Sequence, residues 1–331
     1  MRTIVLAVAH QPRVQSFMTH GPGRVLARRF VAGETLDDGI AAAMRLARGG
    51  ARVSLDYLGE AVSSFGDAEA ALAVYREIVD RLRQVEAPVS LSVKPSQFAV
   101  DLSRGRCLDL LSEVVRAAAR VPAGVRLDME DSAHTDDTLW LARQLRERCL
   151  PVGVVLQAAL YRTPADLEAV LATGGSVRLC KGAYAETASI AYPRKADVDA
   201  AYARLLERVL ANAAAMPAPA AGQLAPAAIA THDERLIHRA IELIHRLKLD
   251  PGTYEFQMLY GVRRDLQEKL MGQGYPLRVY TPWGPSWYPY LSRRLAERPA
   301  NLIFFASSLV SEVLAKRPAT SPKPRAGSVR R

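Results

Sequence analysis

Residues 276–301 read PLRVYTPWGPSWYPYLSRRLAERPAN and combine a strand, a tight turn and a helix in one short run. The run LRVY has strand character and ends at Tyr280, while Pro282 and Gly284 predict a turn. Ser286 is a suitable cap for the helix that follows. The segment therefore predicts one complete strand–turn–helix unit.

The helix of this unit carries two adjacent arginines and is stopped by Pro299. Tyr290, Arg293, Arg294 and Glu297 follow i, i+3, i+4, i+7 spacing, which places them on one side of the helix. A guanidinium binds a carboxylate through two parallel hydrogen bonds, and a tyrosine ring can cover an apolar ligand body. The pattern predicts a site for a small carboxylate; the alternative is a solvated ion pair on an outer helix.

The same unit recurs along the chain. Strand-like runs, each followed by an amphipathic stretch, lie at 51–59, 87–95, 124–131, 152–158, 176–183, 226–233, 253–261 and 277–284. Eight strand–helix units predict a (β/α)₈ barrel. The alternative is a doubly wound sheet, but the GxGxxG loop expected after its first strand is missing.

The rest of the chain is predicted to flank the barrel. Residues 1–48 are predicted as an N-terminal helical segment whose second helix opens at Thr35 or Asp37, and residues 49–315 as the barrel domain with an extra helix over 299–315. Residues 316–331 contain six basic and no acidic residues and are predicted to be disordered.

Charge and composition limit the function classes. The formal net charge is +10, but the basic tail carries a large share of it and has no interleaved aromatic residues. Specific nucleic-acid binding is therefore not predicted, and a tail-driven nucleic-acid or membrane binder stays as an alternative. No apolar run approaches the roughly 20 residues of a membrane span. Three cysteines without CxxC spacing fit a reducing cytoplasm, and no metal site is predicted.

Polar residues collect where the predicted strands end, which is where barrel enzymes hold their active sites. They are Asp56, Lys94, Asp128, Glu130, Gln157, Arg178, Lys181, Thr231, His232, Gln257 and Tyr280. One functional rim predicts this pattern.

Several of these residues have more than one chemical interpretation. Lys94 is either a cation for a substrate carboxylate or a Schiff-base amine. Asp128 and Glu130 lie on one side of the third strand, as an acid/base pair, or Asp128 anchors Lys94. Gly182 lets the backbone approach a phosphate or a ring edge. Asp233 is a plausible cap for a helix whose N-terminus favours a pyrophosphate.

Long motifs resemble one family. SVKPS, DMEDS, VVLQAALYRT, VRLCKGAY, ATHD, YEFQMLYGVRRDLQ, RVYTPWG and WYPYLSRRLAERPAN occur in the order found in proline dehydrogenases. The chain resembles the single-domain bacterial type, and also the matching domain of bifunctional proline utilisation enzymes, over roughly residues 28–305. The resemblance implies a (β/α)₈ barrel with FAD that oxidises L-proline to Δ1-pyrroline-5-carboxylate. A hydride would pass from C5 to flavin N5, and electrons to a membrane quinone.

The resemblance also implies roles for individual residues. The implied catalytic residues are Asp128, Arg178 and Tyr280. The implied substrate residues are Lys94, Tyr184, Leu259, Tyr290, Arg293 and Arg294. The implied cofactor residues are Met129, Gln157, Arg178, Lys181, Gly182, Ala183, Lys195, Thr231 and His232. Asp233 stands where relatives often have Asn, and Cys180 replaces an aliphatic residue.

Two other enzymes stay as alternatives: a Schiff-base aldolase-type barrel and a hydroxyproline dehydrogenase. The bulk of Tyr290 beside the substrate ring favours proline over hydroxyproline. The predicted location is the cytoplasm, and peripheral contact with the inner face of the cell membrane is left open, as is the oligomeric state.

Overall fold

The structure is a computed structural model that describes residues 27–59, 61–83, 85, 88–220 and 222–297, with side chains described as far as Ser292. Residues 28–290 form one compact unit. A second unit includes both ends of the chain, and only residues 27 and 291–297 of it are described. The predicted helix over 299–315 and the predicted tail over 316–331 lie outside the described residues. The predicted domain boundaries stay a prediction.

A closed barrel of eight parallel strands forms the centre of residues 28–290. Neighbouring strands in sequence pair with each other, and the eighth pairs with the first. The strands are β1 (Arg52–Tyr57), β2 (Val89–Val93), β3 (Val125–Leu127), β4 (Val152–Gln157), β5 (Val177–Cys180), β6 (Ala227–Ala230), β7 (Tyr254–Leu259) and β8 (Leu277–Trp283). All eight predicted strands are confirmed, and so is the (β/α)₈ fold class.

Eight helices follow the strands, and one precedes them. They are α1 (Leu36–Arg48), α2 (Phe65–Leu82), α3 (Arg104–Ala118), α4 (Thr135–Glu147), α5 (Thr163–Ala172), α6 (Lys195–Ala214), α7 (Glu234–Leu247), α8 (Arg264–Gly272) and α9 (Trp287–Glu297). Short 3₁₀ turns at Pro95–Phe98 and Ser132–His134 follow β2 and β3. Among the described residues, none of the helices is long and apolar enough to cross a membrane.

The start of α1 shows why this helix begins where it does. Thr35 is the cap: its hydroxyl accepts from the backbone N–H of Asp38, and the Asp38 carboxylate accepts from the backbone N–H of Thr35. This reciprocal pair satisfies two backbone donors that a helix leaves unpaired at its first turn. Of the two predicted starts, Thr35 is confirmed.

The interior of the barrel contains buried charged side chains that form hydrogen bonds with each other. Arg278 on β8 donates to Glu255 on β7 over 2.7 Å and to the backbone oxygen of Val53 over 2.7 Å, and both charged residues are buried. Burial alone would raise the pKa of Glu255, but the charge and hydrogen bond of Arg278 lower it to about 2. A buried ion pair therefore lies inside the barrel near the N-terminal ends of β7 and β8.

Candidate active site

Five polar side chains meet at the C-terminal end of the barrel. Asp56 lies on β1, Lys94 follows β2, Asp128 follows β3, Arg178 lies on β5 and Tyr280 lies on β8. They are far apart in sequence, but parallel strand ends gather at one rim. The rim predicted from the sequence is confirmed for these five residues.

Asp128 is held on both of its oxygens. Arg178 donates to Oδ1 over 2.7 Å, and the hydroxyl of Tyr280 donates to Oδ2 over 2.7 Å. Arg178 also donates to the hydroxyl of Ser92 over 3.0 Å, and its guanidinium lies 5.2 Å from the centre of the Tyr280 ring. With both oxygens in use, Asp128 is suited to orient Arg178 and Tyr280.

The hydroxyl of Tyr280 stays protonated in this setting. Burial and the negative charges of Asp128 and Asp56 raise the pKa of Tyr280 well above its usual value. Tyr280 therefore remains a hydrogen-bond donor to Asp128 across the ordinary pH range.

Lys94 forms an ion pair with Asp56, while the Oδ2 atom of Asp128 lies 3.9 Å from its Nζ. The alternative that Asp128 anchors Lys94 agrees with this longer ion pair, and the structure adds Asp56 as the closer partner. Burial alone would lower the pKa of Lys94, but the charges of Asp56 and Asp128 outweigh it and raise that pKa. A Schiff-base lysine must lose its proton to attack a carbonyl, so this environment opposes the aldolase alternative for Lys94.

Glu130 and Asp128 accept hydrogen bonds from different residues. Its carboxylate accepts from the backbone N–H of Ser96 over 3.0 Å and from the Ser96 hydroxyl over 2.5 Å. Because β3 already ends at Leu127, the expectation that Asp128 and Glu130 share one side of that strand is wrong. Glu130 instead secures the turn after β2.

Gly182 and Gln157 form a second part of the rim, between β4 and β5. Gln157 is buried and donates to the backbone oxygen of Glu130 over 2.7 Å. Gly182 has φ of +111°, and a Cβ atom there would lie 3.1 Å from Oε1 of Gln157 and 3.2 Å from Cβ of Ala159. The backbone at residue 182 thus requires glycine for its conformation and for its close contacts.

Gly182→Ala is expected to lower the free energy of unfolding by roughly 1–3 kcal/mol, because strain at positive φ and crowding by Gln157 add together. Gly274→Ala is the matched control: Gly274 has φ of +83°, but an alanine Cβ at this position would meet no atom within 4 Å. Urea unfolding of both variants separates the two effects. Equal losses would show that the contact with Gln157 costs nothing.

Lys181 lies in a group of charges beside the same loop. Its Nζ donates to Asp199 over 2.5 Å and to Asp233 over 2.8 Å, and the exposed Lys195 also pairs with Asp199. Burial would raise the pKa of Asp233, but the hydrogen bond and charge of Lys181 lower it to about 2. Asp233 also accepts from the backbone N–H of Arg235, which confirms it as the cap of α7.

His232 connects the C-terminal ends of β6 and β7. Its Nε2 accepts from the backbone N–H of Leu259 over 3.0 Å, so in this contact the ring proton belongs on Nδ1. Thr231 accepts from the backbone N–H of Asp233 over 3.1 Å. The His232 contact links the ends of two neighbouring strands, and the Thr231 contact stabilises the turn after β6.

The remaining predicted site residues are described by their positions in the fold. Met129 is buried after β3, Ala183 and Tyr184 follow Gly182, and Tyr290 lies on α9 with 6% of its surface exposed. Arg293 and Arg294 are on α9, but their side chains lie outside the described residues. The arginine clamp stays a prediction.

Two contacts at the site had not been assigned a role from the sequence. The sequence pattern places Asp56 at the rim but does not identify its partner, and it gives no role to Ser92. Ser92 lies two residues before Lys94, so strand alternation points both to the same side. That spacing was the available signal.

Charged side chains gathered at the C-terminal end of a closed barrel of eight parallel strands are typical of a (β/α)₈-barrel enzyme. The proline dehydrogenase family model matches residues 40–307. Proline dehydrogenase of Deinococcus radiodurans is 36% identical over 321 residues, covering 93% of this chain and 97% of that protein. Proline dehydrogenase 1 of Bacillus subtilis is 32% identical over 312 residues, covering 94% and 100%. The chain belongs to the proline dehydrogenase family and is an oxidoreductase of that family.

Solved structures agree on the fold. Proline utilization A from Bdellovibrio bacteriovorus superposes with a TM-score of 0.75 at 24% identity, covering 89% of this chain and 36% of that one. The protein of that name from Corynebacterium freiburgense gives 0.68 at 21% identity, covering 98% and 36%. At this level of identity the likeness concerns the barrel alone.

Proposed function

We propose that the protein uses bound FAD to oxidise L-proline to Δ1-pyrroline-5-carboxylate, the first step of proline breakdown, and passes the electrons to a quinone. The observation that carries the proposal is the paired network of Asp128, Arg178 and Tyr280, beside Lys94 and Asp56, at the mouth of a proline dehydrogenase barrel.

The net charge of the network indicates how much positive charge the binding of the substrate carboxylate would require. Lys94 and Arg178 supply two positive charges, and Asp56 and Asp128 supply two negative ones, so the four groups together are neutral. A neutral network does not hold an anion strongly. The proposed clamp therefore depends on added positive charge, for which Arg293 and Arg294 are the candidates, together with the Lys94 ammonium.

The residues present fit a flavin. The Nε atom of Arg178 is buried and has no hydrogen-bond partner among the described residues, so it is a free donor for a ring acceptor. Gly182 keeps the loop after β5 free of a side chain, and Gln157 lies directly behind it. Lys181 uses two of its three donors on Asp199 and Asp233, which leaves one for a phosphate oxygen.

The remaining predicted cofactor residues would lie along the same side of the barrel. They are Met129, Ala183, Lys195, Thr231 and His232. When bound, FAD would supply the hydride acceptor, its N5 atom, for the hydrogen at C5 of proline.

The protein's share of the reaction is positioning. Asp128 fixes Arg178 and Tyr280 from below, and Ser92 gives Arg178 a second contact. Tyr280 can then present its ring to the pyrrolidine, with Leu259, Tyr184 and Tyr290 as the other walls. Holding reactants in one geometry is worth several kcal/mol of the barrier, about 7–11 in the best cases.

Anaerobic addition of L-proline to the purified flavoprotein tests the function. We expect the visible flavin absorbance to bleach, Δ1-pyrroline-5-carboxylate to form, and a water-soluble quinone to restore the colour. 4-Hydroxyproline is expected to bleach it more slowly, because the bulk of Tyr290 leaves little room for a hydroxyl group. A colourless protein whose Lys94 or Lys181 is trapped by borohydride with a carbonyl substrate would instead support the aldolase alternative.

A further inference from the structure

Asp56 differs from the other carboxylates of the mouth. Both oxygens of Asp128 accept hydrogen bonds, and so do both oxygens of Glu130. Asp56 accepts from Lys94 on Oδ1, whereas its Oδ2 is buried and has no hydrogen-bond partner in the described part of the chain. An ionised oxygen without a donor is costly when buried, which favours the neutral acid form of Asp56.

The proposed oxidation requires a proton acceptor. The amine of free proline is protonated near neutral pH, as alkyl amines are, with a lysine side chain at about 10.4 for comparison. A hydride leaves C5 only when the nitrogen lone pair is available to form the C=N bond. One proton must therefore leave the nitrogen before or during the transfer.

We propose that Asp56, acting through Lys94, takes the proton that the substrate amine loses. The inference rests on the proposed oxidation of proline. An N–H bond of the substrate ammonium breaks as an N–H bond forms at Nζ of Lys94. At the same time, an N–H bond of Lys94 breaks and an O–H bond forms at Oδ1 of Asp56. Lys94 ends as it began, protonated, and the proton is stored on Asp56 until it passes to solvent.

Charge complementarity supports this route. Before the transfer, the paired groups Lys94, Arg178, Asp56 and Asp128 carry no net charge, with Glu130 outside this set, and the bound proline is a neutral zwitterion. After it, Asp56 is neutral, so the network carries one net positive charge next to a substrate that is now an anion. The transfer thus replaces two neutral partners by an oppositely charged pair, which attract each other strongly where water is excluded.

The surroundings of Asp56 determine how readily it accepts the proton. Besides Lys94 itself, the titratable groups that face Asp56 or Lys94 are Asp128, Glu130, Tyr280 and, from α2, Tyr75. Arg178 is connected to them through its ion pair with Asp128. Burial raises the pKa of Asp56, the charge of Lys94 lowers it, the charge of Asp128 raises it, and the net shift is upward. Asp56 must be ionised to act, so turnover is expected to fall as the pH drops through this raised pKa.

Asp56→Asn tests the role, because it keeps the side-chain size and an oxygen toward Lys94 but removes the proton acceptor. The measurement is the rate of flavin reduction by L-proline in the anaerobic holoenzyme across a pH series. We expect the acidic limb of the profile to move upward by roughly one pH unit or more, with a loss of about 10²–10⁴-fold at neutral pH. Asp56→Glu keeps a carboxyl group and is expected to keep the wild-type limb at a lower rate.

Two controls separate proton transfer from structure. Tetrahydrofuran-2-carboxylate has a ring oxygen in place of the amine, so its affinity is expected to change little in Asp56→Asn. Glu130→Gln removes another carboxylate of the mouth and is expected to leave the acidic limb in place.

Four results would overturn the role: an unshifted limb in Asp56→Asn, the same shift in Asp56→Glu, the same shift in Glu130→Gln, or a loss of analogue affinity as large as the loss of rate. If wild-type flavin is not reduced by proline at all, the proposed function itself is wrong. If proline reduces the wild-type flavin but the acidic limb of the pH profile is unchanged in Asp56→Asn, only the proton-acceptor role is wrong.

Discussion

Asp128→Ala is expected to lower the free energy of unfolding by about 3–5 kcal/mol, the scale for removing one partner of a buried ion pair. The side chain of Arg178 is only 7% exposed, and the substitution leaves its guanidinium without its carboxylate partner. The hydroxyl of Tyr280 loses its acceptor as well. Urea unfolding measures the change, and flavin reduction by proline is expected to be lost together with the orientation of both side chains.

A surface ion pair provides the matched control for Asp128. Asp136 pairs with Arg162 over 2.6 Å, but its side chain is 78% exposed. Asp136→Ala is therefore expected to cost less than about 1 kcal/mol. Asp128→Asn should fall between the two, since an amide oxygen can still accept one of the hydrogen bonds. Equal losses in Asp128→Ala and Asp136→Ala would mean that the buried network does not stabilise the barrel.

Arg294→Ala is expected to lower kcat/KM for proline. The loss corresponds to about 2–5 kcal/mol of transition-state stabilisation, the scale for losing one partner of a desolvated charge pair. The basis is the spacing of Arg294 four residues after Tyr290 on α9, and the neutrality of the paired network, which makes added positive charge necessary for strong binding of a carboxylate. Steady-state kinetics with proline measure the effect.

Two further substitutions sharpen this test. Arg294→Lys keeps the charge but not the planar fork, so it is expected to recover only part of the loss. Arg239→Ala on α7 removes an exposed arginine that pairs with Glu242 and is expected to leave kcat/KM unchanged. Unchanged constants in Arg294→Ala would refute the clamp.

The order of strands and helices could be predicted from the sequence because each unit repeats one apolar run and one amphipathic stretch. The ends of the strands were less predictable. The third run was predicted over 124–131, whereas β3 ends at Leu127, since the following residues leave the ladder and turn into Ser132–His134. An apolar pattern does not show where the neighbouring strand stops pairing.

The site was predictable as a set of residues but not as a set of contacts. Barrel closure gathers strand ends at one rim, so the rim residues followed from the fold. Which carboxylate lies closest to Lys94 depends on side-chain reach across the barrel: Asp56 accepts its hydrogen bond, while Asp128 lies farther away at 3.9 Å. The buried pair of Arg278 and Glu255 could not be predicted for the same reason. Strand alternation predicts that both side chains point into the barrel, but it does not predict that they contact each other.

The most direct test of the account is a crystal structure of the flavoprotein with tetrahydrofuran-2-carboxylate bound. We predict that the analogue's carboxylate will lie within hydrogen-bonding distance of Lys94, Arg293 and Arg294, with its ring against Tyr280 and facing the flavin. A carboxylate bound away from all three cations, or a flavin bound away from Arg178 and Gly182, would contradict the proposed active site.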